Sequence, residues 1–202
     1  HIPSHSFPTR RSSDLDFMIE TGDAYGIDVS LKYENKRWYL WGAYSLGHVS
    51  KDYENSDGEM VTYRTHYDRR HNVNLIATYT AGAKNQWEMS ARWNFGSGFP
   101  FTQVSGFFEE LPYDNIYFDP YTESGNLGLI YGDLNTGQLP TYHRLDLDVK
   151  RKFYITEKIL LEADFGITNV YDRRNIFYID VVTAESIYQL PLMPSLGLTL
   201  SF

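Results

Sequence analysis

Leu196, Leu198, Leu200 and Phe202 alternate with Ser195, Gly197, Thr199 and Ser201 at the end of the chain. A period of two puts these sets on opposite faces of a β-strand, one apolar and one small and polar. The same period recurs upstream. In 24–33, Tyr25, Ile27, Val29, Leu31 and Tyr33 oppose Gly26, Asp28, Ser30 and Lys32. In 71–80, Val73, Leu75, Ala77 and Tyr79 oppose Asn72, Asn74 and Thr78, with Ile76 the exception on the polar face. In 86–95, Trp87, Met89, Ala91, Trp93 and Phe95 oppose Glu88, Ser90, Arg92 and Asn94. In 143–153, Leu145, Leu147, Val149 and Phe153 oppose Arg144, Asp146, Asp148, Lys150 and Lys152. In 159–170, Leu161, Ala163, Phe165 and Ile167 oppose Glu162, Asp164, Gly166 and Thr168. Segment 38–49 is strand-like, but both of its faces are partly apolar, so its orientation stays open.

The connections between these segments alternate in length. Residues 35–37, 81–85 and 154–158 are tight turns, whereas 50–70, 96–142 and 171–193 are long, polar and aromatic. The pattern predicts an all-β, antiparallel, up-and-down sheet of about seven strands, each about 9–11 residues long, the length a tilted strand needs to cross a bilayer. All short turns then lie at one end of the sheet and all long connections at the other. Tyr33, Trp38, Tyr39, Tyr79, Trp87, Phe153 and Phe202 fall beside the short-turn end, and Tyr25, Trp93 and Phe95 toward the long-loop end. Such rings suit membrane interfaces, where one edge is apolar and the other wet; strand-end rings of a soluble β-sandwich core give the same pattern. Arg151 breaks the alternation on the apolar face, near a turn from which its long stem can snorkel.

Composition narrows the class. The chain has 202 residues, no Cys and a formal charge of −8. Disulfides, thiolate metal sites and thiol nucleophiles are excluded, and the acidic balance argues against a general nucleic-acid binder. Aromatic residues reach 16 %, with 17 Tyr, yet there is no apolar run long enough for a transmembrane helix. Many rings with half-polar strands fit a membrane β-barrel. Residues 1–15 show no period and resemble translated adapter sequence. They read as a non-native or disordered leader to a domain covering 16–202, which is expected to be the C-terminal piece of a longer protein.

Several stretches resemble the C-terminal barrel of TonB-dependent outer-membrane receptors. They are Tyr67-Asp-Arg-Arg-His-Asn72, Arg92-Trp-Asn-Phe-Gly-Ser-Gly-Phe-Pro-Phe-Thr102, Leu139-Pro-Thr-Tyr-His-Arg-Leu-Asp-Leu-Asp-Val-Lys150 and Asn169-Val-Tyr-Asp-Arg-Arg-Asn-Ile-Phe-Tyr178, together with the closing stretch from Gln189 to Phe202. The resemblance covers about 16–202. It implies a transmembrane barrel segment in the cell outer membrane, in contact with membrane lipid. It further implies active import of a scarce nutrient such as an iron chelate, a corrinoid or a glycan. The partners it implies are a plug domain and the remaining barrel strands of the full-length protein, the TonB complex acting through that plug, and the barrel-assembly machinery reading the terminal Phe202. No nucleic acid, cofactor or metal is implied. The family's barrel has about 22 strands, so about seven should form an open curved sheet rather than a closed barrel. A passive porin-type or small barrel protein, or a soluble β-sandwich binding module, remain alternatives.

Candidate chemistry is sparse. Arg92, Asp146, Asp148, Lys150, Glu162 and Asp164 share the polar face and are expected to line the lumen, because lipid disfavours charge by about 2–4 kcal/mol at mid-depth. Arg69 and Arg174, in Asp68-Arg-Arg-His71 and Asp172-Arg-Arg174, stand where strands meet long loops. They read as substrate contacts through guanidinium groups or as rim salt bridges. In 96–142, Phe101, Tyr113, Tyr117, Phe118 and Tyr121 are the rings expected to touch a substrate, or to fold over one another as a lid. The acidic groups of that loop have no EF-hand spacing for calcium. Enzyme readings are weak. The six His lack H-E-x-x-H spacing, Gly96-Ser-Gly98 lacks the G-x-S-x-G frame, and a Ser97, His143 and Asp172 set has no motif to support it.

Overall fold

The computed structural model describes residues 20–55, 57–110 and 125–202. Its strands are β1 (Glu20–Glu34), β2 (Trp38–Glu54), β3 (Met60–Arg64), β4 (His71–Ala81), β5 (Trp87–Gly96), β6 (Pro100–Phe101), β7 (Val104–Glu110), β8 (Asn126–Tyr131), β9 (Gly137–Gln138), β10 (Tyr142–Tyr154), β11 (Leu160–Thr168), β12 (Ile176–Ile179), β13 (Ser186–Tyr188) and β14 (Met193–Ser201). The main sheet runs β1-β2-β4-β5-β10-β11-β14 and is antiparallel throughout, with β3 added beside the far end of β2. Each expected strand is present, and each pairs with the next long strand in sequence. The outer edges of β1 and β14 pair with no described strand, so the sheet is open rather than closed into a barrel.

Register decides the faces. Across β1 and β2, Tyr25, Ile27, Val29, Leu31 and Tyr33 lie opposite His48, Leu46, Tyr44, Gly42 and Leu40. This resolves the orientation of β2: its even-numbered residues join the apolar face, and Trp41 and Tyr39 turn to the polar one. The apolar rows then continue without a slip. One runs Leu40, Ala77, Ala91, Leu147, Ile167 and Pro194, and the next runs Trp38, Tyr79, Met89, Val149, Phe165 and Leu196. A one-residue slip anywhere would send every later side chain to the wrong face.

The short turns are held by side chains that stand in for backbone partners. Asn35 Oδ1 accepts from the N–H groups of Arg37 and Trp38 at 2.8 Å each. Thr156 Oγ1 accepts from Lys158 and Ile159 N–H. The β4–β5 turn needs two left-handed residues, supplied by Gly82 (φ 92°) and Asn85 (φ 52°), residue types that adopt this conformation at least cost.

The long connections, expected only to be long, polar and aromatic, each carry antiparallel pairing of their own. β2 runs past the apolar face to Glu54 and folds back into β3 around Asn55, whose Oδ1 accepts from the N–H groups of Asp57 and Glu59. Between β5 and β10, β6 pairs with β9 and β7 with β8, making an arm of nested ladders. β12 and β13 form a third hairpin. These pieces escape a period-two reading because they are short, and two of them carry a register shift that breaks the alternation.

Candidate functional site

The first candidate surface is the apolar face itself. Among the described residues, no Ala, Val, Leu, Ile, Met, Phe, Tyr or Trp side chain is buried. Leu31 is 74 % exposed, Leu196 76 % and Phe202 97 %. Apart from Pro100, the buried side chains are polar: Thr65, Asp68, Ser97, Asn169 and Asn175. This inverts the arrangement of a water-soluble domain, in which apolar side chains fill the interior. The Trp38 and Tyr79 rings pack at 4.5 Å toward the turn end of this face, and Trp93 and Phe95 at 5.9 Å toward the loop end. Tyr39 differs from its expected place in the first band. It lies on the polar face, where the Lys32 ammonium sits 5.2 Å from its ring. Arg151 does lie on the apolar face, its guanidinium 4.5 Å from the ring centres of both Trp87 and Phe153.

On the opposite face, Arg92, Asp146, Asp148, Lys150, Glu162 and Asp164 share one side of three adjacent strands. Asp146 stands opposite Arg92, Lys150 lies between Glu88 and Asp164, and Lys152 faces Glu162 with a 3.6 Å ion pair. Charges of opposite sign thus meet across strands, which favours the ladder. Asp146 also accepts from Arg144 at 2.9 Å and from the Asn169 N–H at 3.0 Å, tying this face to the rim.

The second candidate surface is the rim at the long-loop end, a polar network with three nodes. In the first, the Asp68 carboxylate is buried and accepts from Arg64 Nε at 2.8 Å, Val49 N–H at 3.1 Å and Arg70 Nη2 at 3.5 Å. Burial alone would push the Asp68 carboxyl up. The hydrogen bonds from Arg64 and Val49 and the charges of Arg64 and Arg70 outweigh it and hold the group below its ordinary value. In the second node, Ser97 Oγ accepts from His71 N–H, and Arg69 Nε donates to the Ser97 carbonyl. The Arg69 guanidinium lies 4.4 Å from the centre of Phe99 and 5.4 Å from that of Tyr142. Gly96 makes room for it, since a Cβ there would collide with the guanidinium. Burial lowers the pKa of Arg69. In the third node, Asn175 acts as one more rung of the β10 ladder: its Oδ1 accepts from His143 N–H at 3.2 Å and its Nδ2 donates to the His143 carbonyl at 2.9 Å. Asn169 Nδ2 donates to the carbonyls of Arg173 and Leu190, and Arg173 Nη2 to that of Thr141.

The expected site residues are therefore distributed. Arg69 is locked between loops, and Arg174 lies 5.8 Å from the Tyr188 ring in the third hairpin. Phe101 is part of the β6–β9 pair, its ring against Gly137. Tyr113, Tyr117, Phe118 and Tyr121 lie outside the described residues. The Ser97, His143 and Asp172 set does not converge: His143 Nδ1 bonds the Tyr171 hydroxyl at 2.8 Å, and Asp172 Oδ1 accepts from Leu192 N–H. Asp68 pairs with Arg64 and Arg70 rather than with its neighbour Arg69. The residues that sequence reasoning missed are Asn169, Arg173 and Asn175. The run Asn169-Val-Tyr-Asp-Arg-Arg-Asn175 carried the signal, since Asn at a strand end is a side chain able to bond backbone on both sides. No protein-family model, curated protein or solved structure matches the chain.

Proposed function

We propose that this chain is the C-terminal part of the transmembrane β-barrel of a TonB-dependent outer-membrane receptor, which binds a scarce nutrient outside the cell and imports it with energy supplied through TonB. The observation that carries this reading is the inverted packing: seven strands present one apolar face, interrupted by Arg151, to the surroundings, while the buried side chains other than Pro100 are polar. In water such a face has no partner and contributes nothing to folding. Against hydrocarbon, every exposed Leu and Ile becomes favourable, and the charges of the other face belong to a wet lumen. A soluble sandwich needs a second sheet over this face, and the described residues supply none. The open edges favour a large barrel over a small closed one, because strands embedded in lipid must have their backbone groups paired.

On this reading the rim network is scaffold. It fixes the bases of three hairpin-bearing loops, and the substrate contacts are the rings expected from the sequence of 96–142, Phe101, Tyr113, Tyr117, Phe118 and Tyr121. Ligand binding by the full-length protein should weaken when these rings are replaced by Ala, with barrel assembly intact. The receptor reading itself is tested by the complete coding sequence. A plug domain and further alternating strands ahead of residue 16 are expected; their absence would remove it.

A further inference from the structure

Among the described residues of the apolar face, Arg151 is the only Lys or Arg, and it takes part in no ion pair. Its neighbour across the ladder to β11 is Ala163, which leaves the guanidinium uncovered on that side. One row farther into the face, Met89 and Val149 border a groove of about 300 Å³. Its floor is Ala77 opposite Ala91, the smallest pair on the face, and there it meets a second groove of about 410 Å³ walled by Leu31, Tyr33 and Trp93. The floor lies four residues along the strand from the Arg151 row, about 13 Å.

Charge is arranged to match. The connections at this end carry Lys36, Arg37, Lys84 and Lys158 against Glu34 and Glu157, whereas residues 96–142 at the other end contain six acidic residues and no Lys or Arg. The arginines at the long-loop end are engaged, Arg64 and Arg70 with Asp68, Arg69 with the Phe99 ring and Arg173 with the Thr141 carbonyl, so an anion with a long apolar tail meets an ion-pair-free cation on the apolar face at Arg151. We propose that Arg151 and the groove beside it form a binding site for an anionic glycerophospholipid. The phosphate pairs with the guanidinium, which Trp87 and Phe153 hold in place, and one acyl chain lies over Met89 and Val149 into the Ala77–Ala91 depression. The proposal rests on the membrane reading given above, and adds to it a fixed position and a headgroup preference.

The test uses the protein made from its complete gene and purified in detergent, with equal amounts of phosphatidylglycerol and phosphatidylcholine of the same chain length added and retained lipid counted by native mass spectrometry. Phosphatidylglycerol should be retained in about fivefold preference, the worth of one cationic contact with an anionic lipid. Arg151→Met should abolish that preference and Arg151→Lys keep part of it, whereas Ala91→Leu should reduce occupancy by filling the floor. Lys150→Gln, a charge change on the opposite face of the sheet, should leave the preference intact. Equal retention of the two lipids by the parent protein, or a preference that survives Arg151→Met, overturns the site while leaving the membrane reading in place. A protein that is folded and monomeric in buffer without detergent overturns both.

Discussion

Ala91 and Ser90 are neighbours on β5 with opposite surroundings, and one charge placed at each measures the difference between the two faces. Ala91 lies four residues from the Trp87 row and four from Phe95, so it is midway between the two aromatic bands. Four residues span about 13 Å along a strand, or about 10 Å of depth at the usual barrel tilt of about 40°, which puts Ala91 near the centre of an apolar band about 25 Å tall. Ala91→Arg should therefore cost about 2–4 kcal/mol in a bilayer. Ser90 points the other way, bonds Thr78 Oγ1 at 3.1 Å and has Asp148 across the ladder. Ser90→Arg loses that hydrogen bond, worth about 1 kcal/mol, and gains a carboxylate neighbour, so its net effect should stay within about 1 kcal/mol. Urea titration of the full-length protein in lipid vesicles, followed by tryptophan fluorescence, gives both numbers. Equal tolerance of the two changes, or a larger cost at Ser90, would refute the assignment of the faces.

Four further outcomes are expected. Asp68→Asn should destabilise the rim by about 1–3 kcal/mol, a range for lost charge-assisted bonds reduced because Arg64 and Arg70 are half-exposed; limited proteolysis near 64–70 reads it. Because the Asp68 carboxyl is held below its ordinary value, its contribution is present above the unfolded pKa and is lost as pH falls through the lower folded one. Loosening of this loop in hydrogen exchange should therefore appear only in strong acid and be missing from Asp68→Asn. Asn175→Ala leaves the His143 N–H and carbonyl without their side-chain partner and should cost about 2–4 kcal/mol; a cost under 0.5 kcal/mol on the same scale would show that water replaces the amide freely. Ala184, with φ 57° in the β12–β13 turn, is left-handed without the side-chain amide that eases this in Asn, and Ala184→Gly should stabilise the hairpin by about 1 kcal/mol in exchange measurements.

The seven long strands were legible because a face immersed in one medium demands a strict period of two, and because polar and apolar residues alternate with few exceptions. Where an exception occurs, it marks real ambiguity: Trp41 and Ile76 stand opposite each other on the polar face, so β2 could be oriented only through its register with β1 and β4. The loop hairpins were not legible. β6 and β9 are two residues each and are held by close backbone approach, including Gly98, where a Cβ would overlap the Leu139 carbonyl. The rim arginines were located but not distinguished. Adjacent residues on an extended segment point in different directions, so Arg69 stacks on rings while Arg70 turns to Asp68, and only the folded loop decides which does which.

The nested arm between β5 and β10 bears on how quickly the sheet can assemble. Every other main-sheet pairing joins strands separated by a tight turn or a single hairpin, whereas β10 must find β5 across residues 97–141. An unstructured loop of roughly 45 residues costs about 2 kcal/mol more to close than one of roughly six, by the logarithmic dependence on length. The arm removes most of that penalty if it zips first. The Leu139 N–H bonds the Phe99 carbonyl at 2.9 Å, and the β6–β9 pair lies just beyond it, so the ends of β5 and β10 arrive already close and in register. Deleting the arm down to a short turn should then leave the rate of sheet formation nearly unchanged. Scrambling 100–138 at constant length should slow it by more than tenfold, through the local pairing rather than the length of chain.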